Sequence, residues 1–284
     1  MTKLLSEGGN VFKTAEGPLT DRIATGDVPD TIQFLEKVTG LDLTAEKAAD
    51  GKPVKWLGTT GRKEDPDGTF ELNSSGDLDL SIDENEISKA ELVQRLSNWC
   101  QQNGVSVVNI QNSSKKRDGW IQLTGDSVHF RTPIRGNPDN GFVQADFMFS
   151  KNPKFQQGSM IGGQGAYRGE HRHILLASIA RARGLKYSPK FGLVDPTSGE
   201  PIAGGDDWNT IAKQLLGQTA SVTDIRSVDT IIKFIRHLPN YEELIGAARE
   251  TLGRQGVTLP DNTAMESYRP GSIGWMRRMI NTIG

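Results

Sequence analysis

Two aspartates one residue apart, Asp77 and Asp79, lie in the stretch LNSSGDLDLSID at 72–83. In a strand, side chains at i and i+2 point to one face, so these carboxylates stand side by side while Leu78, Leu80 and Ile82 take the other face. Neighbouring carboxylates repel unless positive charge lies between them. A divalent cation supplies that charge at a reactive site, and a turn open to water is the plain alternative. A third acid stands in another strand-like segment: in FVQADFMFS at 142–150, Asp146 is a single acid flanked by Val143, Ala145, Phe147 and Phe149. Sharing a cation with Asp77 and Asp79 is one account of it, and an ion pair with Arg131 on an adjacent strand is the other.

Other chemistries lack their residues. GGQGAYRG departs from the dinucleotide fingerprint at Arg168, and there is no GxxxxGK[ST] phosphate loop, HExxH pair or GxSxG elbow. His171 and His173 diverge on a helix and are expected to face solvent or pack beside a phosphate. The single cysteine, Cys100, excludes an internal disulfide, suits a reducing cytoplasm and falls on an apolar helix stripe, where packing is its expected task. A net charge of −2 disfavours coating of nucleic acid by bulk electrostatics. Acidic residues dominate 21–91 and basic ones 151–200, which fits either a metal site opposite an anion site or two solvated faces. No apolar run reaches the roughly 18 residues of a membrane span, and the start lacks a secretory leader's pattern.

The elements that must hold these acids are a sheet and its covering helices. DVPDTIQFLEKVTG at 27–40 reads as a helix capped by Asp27 and ended by Gly40. SKAELVQRLSNWCQQNG at 88–104 reads as a second helix, opened by a Ser88/Glu91 capping box. VKWLG at 54–58 is expected to be a buried strand leading into the small-residue turn GTTG, with a loop over 58–76. Strands are expected over VSVVNIQ (105–111), WIQLTG (120–125), SVHFRTP (127–133) and 142–150. From about Gly165 the period is helical: segments at 170–184, 206–217, 227–239, 240–253 and 272–284 read as helices. Strands early and helices late predict a mixed α/β, that is α+β, chain with domains over 1–155 and 156–284.

The order of apolar-Gly-Thr at Gly58 and Thr59, Gly-Asp-x-Asp at Asp77 and Asp79, and a lone Asp146 on a neighbouring strand resembles the nucleotidyltransferase superfamily that includes DNA polymerase beta. Landmarks of the family X polymerases follow in order: Gly184 and Leu185 after a helix, Gly192 and Leu193 in a short strand, Leu216 and Gly217 ending a helix, so that the likeness covers about 54–217. EGGNVFK and the LGTTG block also resemble nucleotidyltransferases of tailed phages, which would place the protein in the host cytoplasm.

The resemblance implies a palm with a mixed sheet, a helical C-terminal lobe and two-metal transfer of a nucleotide from an NTP or dNTP to a hydroxyl, with a nucleic-acid 3′ end as the expected acceptor. Asp77, Asp79 and Asp146 would hold two Mg2+ or Mn2+ ions. Gly58, Thr59 and Thr60 would cradle the triphosphate with Arg62 and Lys63 beside it, and Tyr167 and Arg168 would stack on the base and grip phosphate. The 115–117 run KKR would touch a nucleic-acid backbone or lie in a solvated loop. The longer loop before Asp77 and the unrecognisable N-terminal DNA-gripping domain leave open terminal transfer, adenylylation of a protein or small molecule, and an inactive binding or virion protein.

Overall fold

A computed structural model of the chain describes residues 11–47, 51–61, 73–105, 119–160 and 167–260. Arg62, Lys63, the 115–117 run, nearly all of the strand expected from Val105 and the helix expected from Ser272 lie outside these residues. The chain divides into two compact units, 1–162 and 163–284. The class is α+β, with seven α-helices and a mixed four-stranded sheet among the described residues.

The first unit contains β1 (Lys13–Thr14), β2 (Gly17–Pro18), β3 (Ile23–Ala24), α1 (Val28–Thr39), β4 (Ser74–Ser75), β5 (Asp77–Asp83), α2 (Lys89–Gln102), β6 (Ile121–Thr124), β7 (Ser127–Pro133), β8 (Phe142–Ser150) and α3 (Pro153–Ser159). The main sheet has the order β5-β8-β7-β6. β8 runs parallel to β5 and antiparallel to β7, and β6 pairs antiparallel with β7 across a tight turn at Gly125 and Asp126. A parallel pair cannot be closed by a hairpin, and the chain between β5 and β8 runs through α2, β6 and β7.

Alternation gives the sheet two unlike faces. Leu78, Leu80, Ile82, Val128, Phe130, Val143, Ala145 and Phe147 form one core with Ile32 and Leu35 of α1 and Leu92, Leu96 and Cys100 of α2. Ser88 caps α2 by accepting from the Glu91 amide, which is half of the expected box; the Glu91 carboxylate pairs with Arg95 instead of returning to Ser88. The expected cap of α1 is corrected, since the Asp27 side chain makes no cap bond. On the other face the same strands present Asp77, Asp79, Ser81, His129, Gln144 and Asp146. Helices α1 and α2 therefore cover the apolar face and leave the acids on the polar one.

VKWLG departs from expectation. It forms only an isolated antiparallel bridge, Trp56 to Leu80, flanked by Leu57 N–H to the Asp79 carbonyl at 2.9 Å and Ser81 N–H to the Lys55 carbonyl at 2.8 Å. Pro53 lacks a donor and Gly58 turns the chain at φ +51°, so the ladder is stopped from both ends. Helix α3 was not expected. Its Gln156 accepts from Ser81 Oγ and its Gln157 donates to the Pro53 carbonyl, which fastens it to the first unit.

The second unit contains α4 (Gly169–Ala182), β9 (Lys186–Ser188), β10 (Gly192–Val194), α5 (Trp208–Leu216), α6 (Val228–Ile235) and α7 (Tyr241–Gly253). Helices α4 and α7 pack closely, and buried Ser178 bridges them: its hydroxyl donates to the Leu244 carbonyl at 2.8 Å and accepts from the Ala248 amide at 3.2 Å. The expectation that His171 and His173 face solvent is corrected here. His171 is buried and accepts from the Arg168 amide, closing the start of α4, while His173 stacks on Tyr187 and bonds its hydroxyl at 2.9 Å. Among the described residues, no helix is long and apolar enough to cross a membrane.

Candidate metal centre

Parallel pairing of β5 with β8 places Asp79 opposite Asp146 and Asp77 opposite Gln144. Because Asp77 and Asp79 share a face, all three carboxylates converge, with one oxygen from each within 4.8 Å of the others. Ligands of one cation held at about 2.1 to 2.5 Å stand no more than about 5 Å apart, so these three oxygens could hold a metal ion. The donor set is entirely hard carboxylate oxygen, which favours magnesium, manganese or calcium over metals that prefer sulfur or imidazole.

The three carboxylates burden one another, and a cation between them would relieve that burden. Burial, and secondarily the charge of Asp146, push the Asp77 carboxyl from its ordinary 3.8 up to about 6. Burial pushes Asp79 well above its ordinary range, and the charges of Asp77 and Asp146 push it the same way. Nearby cations offset this only in part. Lys52 acts on Asp79 while donating to the Gly58 carbonyl at 3.3 Å. Arg22 acts on Asp77 while its guanidinium is anchored on Ser74, with Nε to the hydroxyl and Nη2 to the carbonyl, each 2.9 Å.

The turn at 57–61 lies against the acids. A side chain on Gly58 would begin 2.7 Å from Asp79 Oδ2, and its φ of +51° is one that only glycine adopts at little cost. Thr60 is buried, and its hydroxyl accepts from the Asp79 amide at 2.8 Å, fixing the backbone that carries the central carboxylate. Exposed Thr59 contacts the Ser75 hydroxyl at 3.0 Å, and Ser75 in turn donates to the Asp77 carbonyl at 2.8 Å. Gly58, Thr59 and Thr60 are thus brought to the acids, while Arg62 lies outside the described residues.

Asp146 is buried on the central strand and both its oxygens are engaged. His129 Nδ1 meets Oδ1 at 2.7 Å, and Gln144 Nε2 donates to Oδ2 at 3.0 Å. His129 Nε2 meets the Thr124 hydroxyl at 2.5 Å, and the Val11 amide donates to Gln144 Oε1 at 2.8 Å. The ion pair considered between Asp146 and Arg131 is not formed. Arg131 lies opposite Gln144 instead, with its guanidinium 4.3 Å from the Phe142 ring centre and 5.2 Å from that of Trp120. Tyr167 and Arg168 belong to the second unit, where the Tyr167 hydroxyl donates to the Thr258 carbonyl at 3.1 Å and Arg168 stands 3.9 Å from Glu170.

Sequence reasoning missed His129, Gln144 and Arg22. For the first two a signal was present: once Pro133 lies opposite Phe142, the antiparallel register sets His129 opposite Asp146, and Gln144 shares its face two residues earlier. Arg22 had none, because its approach depends on the short pairing of β3 with β4 across about fifty intervening residues. No family model matches the chain, and no curated protein and no solved structure matches it.

Proposed function

We propose that this chain is a metal-dependent nucleotidyltransferase, moving a nucleotidyl group from an NTP or dNTP to an acceptor hydroxyl. The observation that carries the reading is the convergence of Asp77, Asp79 and Asp146 from two parallel strands, with the glycine turn held against Asp79. The order of motifs along the chain, Gly58-Thr59, then Asp77 and Asp79, then Asp146, supports it as well. Mg2+ or Mn2+, two ions in the full site, would neutralise charge on the attacking and leaving oxygens.

In that reaction the acceptor oxygen bonds to the α-phosphorus and the α–β bridging bond breaks. Pyrophosphate leaves with the electron pair, and the acceptor's proton is released. Asp77 and Asp79 would hold the cations from one strand and Asp146 would complete the ligand set from the next. The open backbone at Gly58 and the exposed hydroxyl of Thr59 face the phosphates. Arg22, anchored but exposed beside Asp77, supplies a fixed positive charge on that side of the site. A nucleic-acid 3′ end is the acceptor this reading favours.

The test is incubation of purified protein with α-labelled NTPs and dNTPs, with and without a primer, in Mg2+ and in Mn2+. Label transfer lost in Asp77→Asn and Asp79→Asn is the expected result, and label on the protein alone redirects the acceptor to a polypeptide. Equal signals from wild type and both variants would refute the proposal.

A further inference from the structure

We propose that His129 and Gln144 are positioning residues that hold the Asp146 carboxylate in the one orientation that ligates a divalent cation. The inference rests on the reading of Asp77, Asp79 and Asp146 as a metal site and assigns work to side chains that do not touch the metal. A free carboxylate rotates about its Cβ–Cγ bond, and that freedom opposes ligation. At Asp146 it is removed at both oxygens, by Nδ1–H of His129 at Oδ1 and by the amide of Gln144 at Oδ2. An ionised carboxylate only accepts, so Nδ1 of His129 carries the proton in this contact, and Nε2 is left to the Thr124 hydroxyl. Each oxygen keeps a further lone pair for a cation.

The two positioning residues are themselves fixed. His129 is buried and lies opposite Asp146 in the β7–β8 register, and Gln144 is buried with its carbonyl oxygen taken by the Val11 amide. That bond also sets the Gln144 amide with its NH2 toward Asp146, because the oxygen must face the Val11 donor. A chain of contacts therefore runs Thr124, His129, Asp146, Gln144, Val11. Thr, His and Asp in this order also make up a nucleophile relay of the hydrolase kind. Here the aspartate converges with two further carboxylates, and an acid so placed is the ligand of a carboxylate–histidine pair behind a cation.

The experiment is Mn2+ titration of the full chain by electron paramagnetic resonance, on variants whose folding is verified by thermal unfolding. His129→Leu removes the donor at near-constant volume, and His129→Asn keeps an N–H at the place of Nδ1. Gln144→Met removes the second donor and keeps the proposal testable if a His129 variant does not fold. Expected are a loss of Mn2+ affinity of about 10- to 100-fold in His129→Leu, a smaller loss in Gln144→Met, and recovery to within about threefold of wild type in His129→Asn. His129→Leu should add little to Asp146→Asn, because both act through one carboxylate. Thr124→Ala should change Mn2+ affinity little, while a nucleophile relay would instead show ester hydrolysis lost in that variant.

Folded His129→Leu and Gln144→Met that bind Mn2+ like wild type would overturn the inference, as would His129→Asn as weak as His129→Leu. Asp77→Asn and Asp79→Asn separate this failure from a deeper one. If they abolish Mn2+ binding while the His129 and Gln144 variants do not, the positioning role fails alone. If they too leave binding unchanged, the metal site itself fails.

Discussion

Asp77→Asn should make the metal-free protein more stable at neutral pH while removing its response to cations. The Asp77 carboxyl is pushed from 3.8 up to about 6, by burial first and by the charge of Asp146 second. Ionising such a group in the folded state costs about 3 kcal/mol at pH 7, and solvent screening of a partly exposed carboxylate reduces this to about 1–2 kcal/mol. The sign follows from proton uptake. With its folded value raised, Asp77 favours folding most below about pH 4, and that favour is lost as pH rises through about 6. Asparagine removes the ionisation at nearly the same shape. In chelator at pH 7 the variant should therefore gain about 1–2 kcal/mol in urea unfolding, with a rise in Tm of roughly 2–8 °C. The gain should shrink to about a third by pH 4.5, where the wild-type carboxyl is already protonated in the folded state. Saturating Mg2+ or Mn2+ should reverse the order, since a ligand at about 100 times its Kd stabilises the wild type by roughly 2.7 kcal/mol. A variant no more stable than wild type in chelator at pH 7, or a gain independent of pH, would refute the argument that uncompensated charge is stored at the centre.

Three further outcomes follow from the same geometry. Cation binding should weaken as pH falls through about 6, because protons compete with the cation for Asp77 and Asp79; Mn2+ titrations between pH 5 and 8 that give one affinity throughout contradict this. Gly58→Ala should cost about 1–2 kcal/mol in stability from its left-handed backbone and should also weaken Mn2+ binding, since the new methyl meets Asp79 Oδ2; equilibrium unfolding and Mn2+ titration read the two effects separately. Cys100 is buried and its thiol is pushed up to about 11, so iodoacetamide at pH 8 should leave the native protein unlabelled and modify it in urea.

The three acids were legible because each breaks a local rule. Asp77 and Asp79 repeat at the strand period, and Asp146 is the single charge on a strand whose neighbouring positions are apolar. That they meet was not legible, since it depends on parallel pairing between β5 and β8, with α2, β6 and β7 lying between them in the described residues. Helices α1 and α2 were readable from their stripes, from the left-handed Gly40 that ends α1 and from Ser88 at the start of α2, whereas Asp27 makes no side-chain cap bond and the Glu91 carboxylate pairs with Arg95. VKWLG was misread because apolar content alone does not show that Pro53 and Gly58 cut its ladder short. His171 and His173 were misread because their partners, the Arg168 amide and the Tyr187 hydroxyl, are set by the start of α4 and by the packing of β9. His129 lies between these cases: its place on an alternating strand was visible, and its meaning required the partner strand's register.

The most direct measurement is a crystal structure of the protein with Mn2+ and a non-hydrolysable nucleoside triphosphate, with the manganese located by anomalous scattering. Manganese ligated by Asp77, Asp79 and Asp146, with the triphosphate along the turn at 58–61 and Arg22 at its side, is the predicted result. Manganese elsewhere, or a nucleotide bound away from these three carboxylates, would contradict the account.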